Sequence, residues 1–225
     1  MSVVGVDIGT SGVRAVAFSG SGRVVDAASR RLVLHRPAHE RVELDPGELV
    51  DAVESAVATV AAEATARGDA PEAIALSVLG EAVLPVDAHG RPLAPIAVSM
   101  DARGGPAASA LGARVGDDRY TSVTGQPLHG MFSAFKIAAG DESWQSAHAY
   151  RCVGDFLAER WTGRAGIDAS QAARMGVLDV ERGQWSDELL AAIAADAPWL
   201  RREALPEPLP GGTVIAPIGA AAAER

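Results

Sequence analysis

Apolar and polar residues alternate along the first third of the chain in a pattern that predicts three strands. Residues 3–6 and 13–18 flank a short turn that contains glycine, and residues 23–34 alternate loosely after a second turn, "SGSG". An alternation with period two is typical of strands that bury one face. We therefore predict three successive antiparallel strands joined by short turns.

A period close to four follows and predicts a long helix. Asp45 is the expected N-cap, Pro46 takes the first helical position, and Glu48 completes a capping box. Gly68 is expected to end the helix. The apolar positions on its predicted buried face are Leu49, Val53, Val57, Val60 and Ala64.

The middle and end of the chain alternate between strand and helix patterns. The segment "AIALSVLG" (73–80) predicts a buried strand, and "AVLPVDAHGRPLAPIAVS" (82–99) predicts a hairpin turned by "DAHG". Further helices are predicted at 106–116, 131–140, 143–160 and 186–196. Three antiparallel strands, a helix and another strand indicate an α/β fold of the ribonuclease-H-like kind, a mixed sheet flanked by helices.

Composition and charge exclude several classes of partner. The 225 residues suit one large domain or two small ones, and 48% hydrophobic with 22% charged residues is ordinary for a globular chain. A net charge of −9 with a single lysine, Lys136, argues against nucleic-acid binding. The single cysteine, Cys152, fits a reducing compartment. With no signal peptide and no apolar run of membrane length, we expect a cytoplasmic protein that binds no membrane.

The first turn carries the clearest candidate chemistry. Asp7 lies in an apolar strand, where a carboxylate needs a cation or hydrogen bonds. Gly9 and Gly12 permit positive φ and leave the turn without Cβ atoms, so that N–H groups can converge on an anion. Thr10 and Ser11 add hydroxyls. From these residues alone, a phosphate–Mg²⁺ hairpin and an ordinary hairpin turn remain equally open.

A family resemblance favours the first interpretation. "DIGTSGVRAVAFSGSGRVV" (7–25) resembles the first phosphate motif of the superfamily of actin, heat-shock chaperones and sugar kinases. Four later segments resemble the FGGY carbohydrate kinases and follow in family order. They are "DPGELVDAV", "PVDAHGRPLAPIAVSMDARG", "TGQPLHGMFSAFKI" with its Ser-x-x-Lys pattern, and "GDFLAERWTGRAGIDASQAARMGVLDVERGQWSDELL". The resemblance covers essentially the whole chain and implies the actin-like ATPase version of the ribonuclease-H-like fold.

The resemblance also implies roles for the residues of the first hairpin. Asp7 is expected to hold Mg²⁺ through water, and Gly9, Thr10 and Ser11 to face the phosphates of ATP. Arg14 stands where many family members carry lysine. Both are cations, but arginine is a planar fork and lysine is a point charge.

The acceptor sugar is assigned to other segments by the same resemblance. "LGEAVLPVD" resembles the strand end where glycerol kinases place an Arg-Glu pair, so Glu81 is the best candidate to bind the acceptor. Gly80 replaces the arginine of that pair. Met131 falls where the glycerol enzymes have a substrate-contacting tyrosine, and His129 is expected to add a hydrogen bond. The alternatives are an exposed residue after a strand for Glu81 and a core contact for Met131.

Two other polar sets have less specific roles. Asp101 and Arg103 either pair with each other or line the substrate cleft. In the late segment, Asp168, Ser170 and Arg174 are expected to brace the domain rather than touch a ligand.

Together these expectations describe half of a kinase. Family members phosphorylate a hydroxyl of a sugar, sugar acid or polyol with ATP and Mg²⁺, in a cleft between two domains. Residues 1–225 correspond to the N-terminal domain, with a xylulose-like or gluconate-like acceptor. The ATP-binding C-terminal domain and the general-base aspartate are expected beyond Arg225, which leaves the isolated chain inactive. The alternatives are a shortened, non-catalytic paralogue that binds a sugar or a partner, and an actin-like or chaperone-like ATPase that shares only the opening hairpin.

Overall fold

The structure, a computed structural model, describes residues 2–220. The strands are β1 (Ser2–Gly9), β2 (Gly12–Ser19), β3 (Val24–Arg31), β4 (His35–Ala38), β5 (Arg41–Leu44), β6 (Pro71–Val78), β7 (Val83–Val86), β8 (Ile96–Ala97), β9 (Ala149–Cys152), β10 (Ile167–Asp168), β11 (Leu178–Asp179), β12 (Gln184–Trp185) and β13 (Pro208–Leu209). The helices are α1 (Pro46–Ala66), α2 (Gly105–Val115), α3 (Asp117–Thr124), α4 (Ser133–Ala138), α5 (Glu142–Gln145), α6 (Val153–Thr162), α7 (Ala169–Ala173) and α8 (Asp187–Ala194). A 3₁₀ turn covers Arg202–Ala204. No helix within residues 2–220 has the length and apolar character needed to cross a membrane.

The chain divides into two compact units. Among the described residues, the first unit contains 2–35, the segment Leu44–Leu79 and residues 219–220. The second unit contains Arg36–Glu43 and Gly80–Ile218.

The first unit is a four-stranded mixed sheet in the order β3-β2-β1-β6. β1 and β2 are antiparallel, as are β2 and β3, whereas β6 runs parallel to β1. Helix α1 packs on one face of this sheet and buries the side of β1 that carries Val4, Val6 and Ile8. The predicted order of three antiparallel strands, a helix and a further strand is confirmed.

Helix α1 begins as predicted. The Asp45 carboxylate accepts a hydrogen bond from the Glu48 N–H at 2.9 Å, which satisfies one of the unpaired donors at the helix start. The second half of the predicted capping box is wrong, because the Glu48 carboxylate lies 3.7 Å from the ring of His35 instead. On the buried face, Ala56 is fully buried and Val57 only partly.

Strand β6 differs from its prediction in burial. Ala73, Ala75 and Ser77 are exposed and the alternate residues are only half-buried. The physical reason is its position, because β6 is the edge strand of the described sheet. An apolar run in the sequence predicts a strand, but it does not show whether other strands or helices pack against that strand and bury it.

The second unit is built around a five-stranded sheet in the order β4-β5-β8-β7-β9. The predicted hairpin of β7 and β8 is confirmed. Its turn is closed by the Asp87 carboxylate, which accepts hydrogen bonds from the N–H groups of His89 and Arg91, and Gly90 has a φ of 73°. The helices pack around a core whose largest buried side chains include Tyr120, Phe132, Phe135, Trp144 and Tyr150.

The single helix predicted over 143–160 is wrong. The structure has the short helix α5, then strand β9, then helix α6. β9 pairs antiparallel with all four residues of β7, and buries Tyr150 and Cys152. Tertiary pairing therefore overrides the helical pattern here. The short helices α3 and α7 were not predicted.

Candidate functional site

The first hairpin holds an unpaired carboxylate opposite an unpaired guanidinium. Asp7 and Arg14 are direct partners across β1 and β2, so both side chains project from the same face, and both are exposed. Within residues 2–220, neither side chain makes a hydrogen bond or an ion pair. The turn between the strands is the two-residue segment Thr10–Ser11, which places two hydroxyl groups next to this pair.

Of the two glycines of this hairpin, Gly12 is required on steric grounds and Gly9 is not. Neither Gly9 nor Gly12 has a positive φ, so the prediction on backbone conformation is wrong. A Cβ atom on Gly12 would lie 2.6 Å from the carbonyl oxygen of Arg30 in β3, which requires glycine there on steric grounds. A Cβ atom on Gly9 would meet only the Gly12 carbonyl at 3.9 Å. Position 9 is therefore open on its side-chain face.

The hairpin fits a metal–phosphate ligand better than a metal held by protein alone. Mg²⁺ keeps several waters and is commonly bound by one or two carboxylates together with substrate phosphates. Among the described residues there is no cluster of three or more histidine, cysteine, aspartate or glutamate side chains that would hold a metal ion. Asp7 alone supplies a carboxylate, and Thr10, Ser11 and Arg14 supply donors suited to phosphate oxygens.

Glu81 in the second unit has a left-handed backbone conformation, which is unusual for a residue other than glycine. Its φ of 56° is the only positive value among the described non-glycine residues. Such a conformation disfavours residues with a Cβ atom and is frequent at functional sites. Its side chain is almost buried, although it carries a charge. The prediction that it binds the acceptor stays a prediction, but the alternative of an exposed residue after a strand is wrong.

The carboxylate of Glu81 is paired with Arg174. The Nε and Nη2 atoms of Arg174 both contact Glu81 Oε1, and its Nη1 donates to Gln126 Oε1 at 2.6 Å. The guanidinium also lies 5.0 Å from the centre of the Phe132 ring. Arg174 comes directly after α7, whose first turn is capped by Asp168 accepting from the Ser170 N–H at 2.8 Å. The bracing role expected of Asp168 and Ser170 agrees with this cap, whereas Arg174 also reaches a candidate site residue.

The carbonyl of Glu81 is held from the other side by Lys136. The Lys136 ammonium is fully buried and donates to the carbonyl oxygens of Glu81 at 2.7 Å and Val98 at 2.6 Å. Burial lowers the pKa of Lys136 to about 8, although the nearby Asp101 and Glu81 act in the opposite direction.

The segment around His129 lies in the same unit and has a different environment. His129 is exposed, and its Nδ1 accepts a hydrogen bond from the Met131 N–H at 3.1 Å. Met131 is half-buried and packs against the core, as the alternative for this residue expected. His129 also lines an open pocket of about 450 Å³ together with Ser109 and Asp117. Glu81 is not among the residues that line this pocket.

Asp101 and Arg103 form a buried ion cluster. Arg103 Nε donates to Asp101 Oδ1 at 2.7 Å, and its Nη2 contacts Glu43. The guanidinium lies 5.4 Å from the centre of the Trp144 ring, and the second oxygen of Asp101 accepts from the Val42 N–H at 2.9 Å. Burial works to lower the pKa of Arg103, but hydrogen bonds to Asp101 and Glu43 outweigh it and raise the pKa. Of the two predicted roles, the structure shows the mutual pairing.

Sequence reasoning did not connect Lys136, Gln126 and Arg174 with Glu81. These residues are 55, 45 and 93 positions away along the chain, and a separation of that size is not visible in a sequence pattern. One available signal was that Lys136 is the single lysine of the chain and ends the Ser-x-x-Lys pattern.

Comparison with known proteins gives one consistent result. The family described as "FGGY family of carbohydrate kinases, N-terminal domain" matches residues 2–225. A xylulose kinase of Klebsiella pneumoniae is 30% identical over 220 residues, which is 94% of this chain and 43% of that protein. A glycerol kinase of Methylibium petroleiphilum is 29% identical over 202 residues, 85% of this chain and 40% of that protein.

A solved structure supports the fold. The xylulose kinase of Rhodospirillum rubrum superposes with a TM-score of 0.90 at 24% identity, covering 100% of this chain and 46% of that one. The predicted fold class is thereby confirmed. The chain spans less than half the length of these proteins.

Proposed function

Since this chain belongs to the FGGY family of carbohydrate kinases, we propose that it is the N-terminal part of an enzyme that phosphorylates a hydroxyl of a sugar, sugar acid or polyol with ATP. Because the chain spans less than half of its relatives, the proposal includes a C-terminal domain that binds most of ATP. It also places the general-base aspartate beyond Arg225.

The observation that carries this proposal is the unpaired Asp7 carboxylate beside an open turn. Asp7 and Arg14 are exposed on one face and do not pair with each other, so both charges are available to a ligand. The open face at Gly9 leaves room for a ligand to approach the backbone. This arrangement supplies one metal ligand and several anion donors without mutual neutralisation.

Each residue of the hairpin then has a distinct task. When bound, Mg²⁺–ATP supplies the phosphoryl group, and the metal neutralises charge on it. Asp7 holds the metal through water, and the hydroxyls of Thr10 and Ser11 donate to phosphate oxygens. Gly9 lets the backbone approach the phosphates, and the Arg14 guanidinium adds positive charge. Positioning and charge neutralisation supply most of the rate acceleration in phosphoryl transfer.

Glu81 is proposed to bind the acceptor in the second unit. A carboxylate accepts hydrogen bonds from sugar hydroxyls; Arg174 holds the carboxylate of Glu81 in a fixed orientation, and Lys136 holds its backbone carbonyl. His129 is proposed to add a hydrogen bond from its exposed ring, and Met131 and Gly80 to shape the surroundings of the acceptor. Asp101 and Arg103 are proposed to act indirectly, by joining the segment after β8 to the Val42 backbone in β5.

The test uses the protein as its gene encodes it, with Mg²⁺–ATP and a panel of xylulose, glycerol and gluconate. We expect ATP consumption that depends on one of these acceptors. Asp7→Ala is expected to lower kcat by at least about 100-fold, because it removes charge stabilisation of the transferring group. Asp51→Ala, on the exposed side of α1, is the matched control and should keep full activity. ATP consumption that no acceptor stimulates, or that Asp7→Ala leaves unchanged, would contradict the proposal.

A further inference from the structure

The side chain of Arg174 lies directly over Gly80. A Cβ atom built on Gly80 would be 3.6 Å from Arg174 Cγ, 3.8 Å from its Nε and 3.9 Å from its Cβ. A methyl group at position 80 therefore fits at van der Waals contact, whereas a longer side chain would have to displace the arginine. Arg174 can reach Glu81 because residue 80 carries no side chain longer than a methyl group.

The guanidinium is held in place on several sides. It contacts the Glu81 carboxylate, donates to Gln126 Oε1 at 2.6 Å and lies over the ring of Phe132. Gln126 is itself fixed, because its Nε2 donates to the carbonyl oxygen of Ala173 at 2.8 Å. A planar guanidinium fixed in this way loses little conformational entropy when a ligand binds.

The arginine is the accessible member of the pair. Its side chain is 38% exposed, against 7% for the side chain of Glu81. A ligand that approaches Glu81 in this unit therefore meets Arg174 as well. Both residues belong to one binding surface, defined here as the Glu81–Arg174 pair.

The charges of the pair determine what it can select. The carboxylate and the guanidinium offset each other, so the pair offers one acceptor and one donor without net charge. Adjacent hydroxyls of a polyol match it, because one hydroxyl donates to Glu81 while its neighbour accepts from Arg174. A sugar acid gains no net attraction, and its carboxylate would lose hydration beside the negative charge of Glu81.

We infer that Arg174 is a specificity-determining residue, which forms with Glu81 a charge-neutral pair that binds adjacent hydroxyls of an uncharged polyol or sugar and disfavours sugar acids. The inference rests on the proposed function, because it names the acceptor class for the same site. It also assigns Arg174 a role beyond bracing α7.

The experiment compares selectivity and binding in matched variants of the protein as its gene encodes it. Arg174→Met removes the hydrogen-bond donor, and Glu81→Gln removes the opposing negative charge. Either single variant leaves one charge without its partner, so the double variant, which has neither charge, is the fallback if the single variants unfold. Arg119→Met breaks an exposed ion pair with Glu188 in the same unit and serves as the control. Gly80→Ala and Gly80→Leu test the space over position 80. The readouts are kcat/KM for xylulose, glycerol and gluconate, the KM for ATP, and calorimetric binding of xylitol.

We expect the wild-type protein to prefer an uncharged acceptor. Arg174→Met should lower kcat/KM for that acceptor by about 10- to 100-fold, the size expected for losing a charged hydrogen bond, with the KM for ATP unchanged. Glu81→Gln should move the ratio of gluconate to uncharged acceptor upward by about tenfold, because Arg174 then has no offsetting charge. Gly80→Ala should behave as wild type, and Gly80→Leu should resemble Arg174→Met. A residue with a structural role alone would not move this ratio.

Four results overturn one or both proposals. A wild-type preference for gluconate, or acceptor turnover that Arg174→Met and the double variant leave unchanged, overturns the role of Arg174 and retains the kinase. Xylitol binding that Arg174→Met abolishes, without acceptor-dependent ATP consumption, overturns the kinase and supports the pair. Neither binding nor turnover in the wild-type protein overturns both.

Discussion

The ammonium of Lys136 donates a 2.7 Å hydrogen bond to the carbonyl oxygen of Glu81, the described non-glycine residue with left-handed backbone. The same ammonium donates to Val98 at 2.6 Å, so it joins the segment before β7 to the end of β8. A buried cation that contacts two carbonyls compensates part of its lost hydration through them. The strained residue is thus fixed by a buried hydrogen-bond donor.

Lys136→Met is expected to destabilise the protein by about 3 kcal/mol, because it leaves two buried carbonyl oxygens without their donor. The pKa of Lys136 is lowered to about 8 from 10.5. Between these values the unfolded chain binds more protons, so this lysine makes the free energy of unfolding increase with pH. Urea unfolding at pH 7 to 10 should therefore show a difference between wild type and Lys136→Met that widens above pH 8. A difference independent of pH would refute the buried ammonium.

The two glycines of the first hairpin should separate stability from ligand binding. Gly12→Ala is expected to cost about 2 kcal/mol or more, since its Cβ would lie 2.6 Å from the Arg30 carbonyl oxygen. Gly9→Ala has room for its Cβ and should unfold within about 0.5 kcal/mol of wild type. If phosphates approach the backbone at position 9, Gly9→Ala nevertheless raises the KM for ATP. Thermal unfolding and ATP titrations measure both effects, and an unchanged KM would show that no phosphate approaches there.

Arg103 should be far more important for stability than an exposed arginine. Arg103→Met leaves the buried Asp101 carboxylate without its cation and leaves Glu43 with only Arg41, at 4.0 Å; breaking a buried pair typically costs about 3–5 kcal/mol. Arg119→Met breaks the exposed pair with Glu188 and should leave the free energy of unfolding nearly unchanged. Equilibrium unfolding in urea compares the two. Equal effects would mean that the cluster at Arg103 is not buried in solution.

Asp155 should make the protein less stable as the pH rises. Its Oδ1 accepts from the Cys152 N–H at 3.0 Å, whereas its buried Oδ2 has no partner among the described residues. Burial raises the pKa of Asp155 to about 8 from 3.8. Between these values the folded state binds more protons, so stability is lost as the pH rises.

Asp155→Asn removes this titration. From pH 4 to 8, wild type should therefore lose at least about 1 kcal/mol relative to the variant, since one pKa unit corresponds to about 1.4 kcal/mol. Urea unfolding at several pH values tests the expectation. Parallel pH profiles of the two proteins would contradict it.

Local patterns predicted the β1–β2 hairpin and the start of α1 well because the contacts that form them are local. The β1–β2 hairpin closes with a two-residue turn, and the Asp45 cap lies three residues from its donor. The helix predicted over 143–160 was wrong because β9 pairs with β7, about 65 residues earlier in the chain. The pattern of residues 149–152 does not reveal this distant partner, so their strand was missed.

The amino-acid sequence by itself determined the strand order of the first unit, the position of Asp7 beside a glycine turn and the family to which the chain belongs. These features depend on residue types at short spacing. The tertiary structure alone decided that Arg174 lies over Gly80 and pairs with Glu81, that Lys136 holds the Glu81 carbonyl, and that Gly12 is required by the Arg30 carbonyl. Each of these contacts joins residues that are far apart in the sequence and that only packing brings together. Whether a charge is buried, or whether a position has room for a Cβ atom, depends on neighbours from distant parts of the chain.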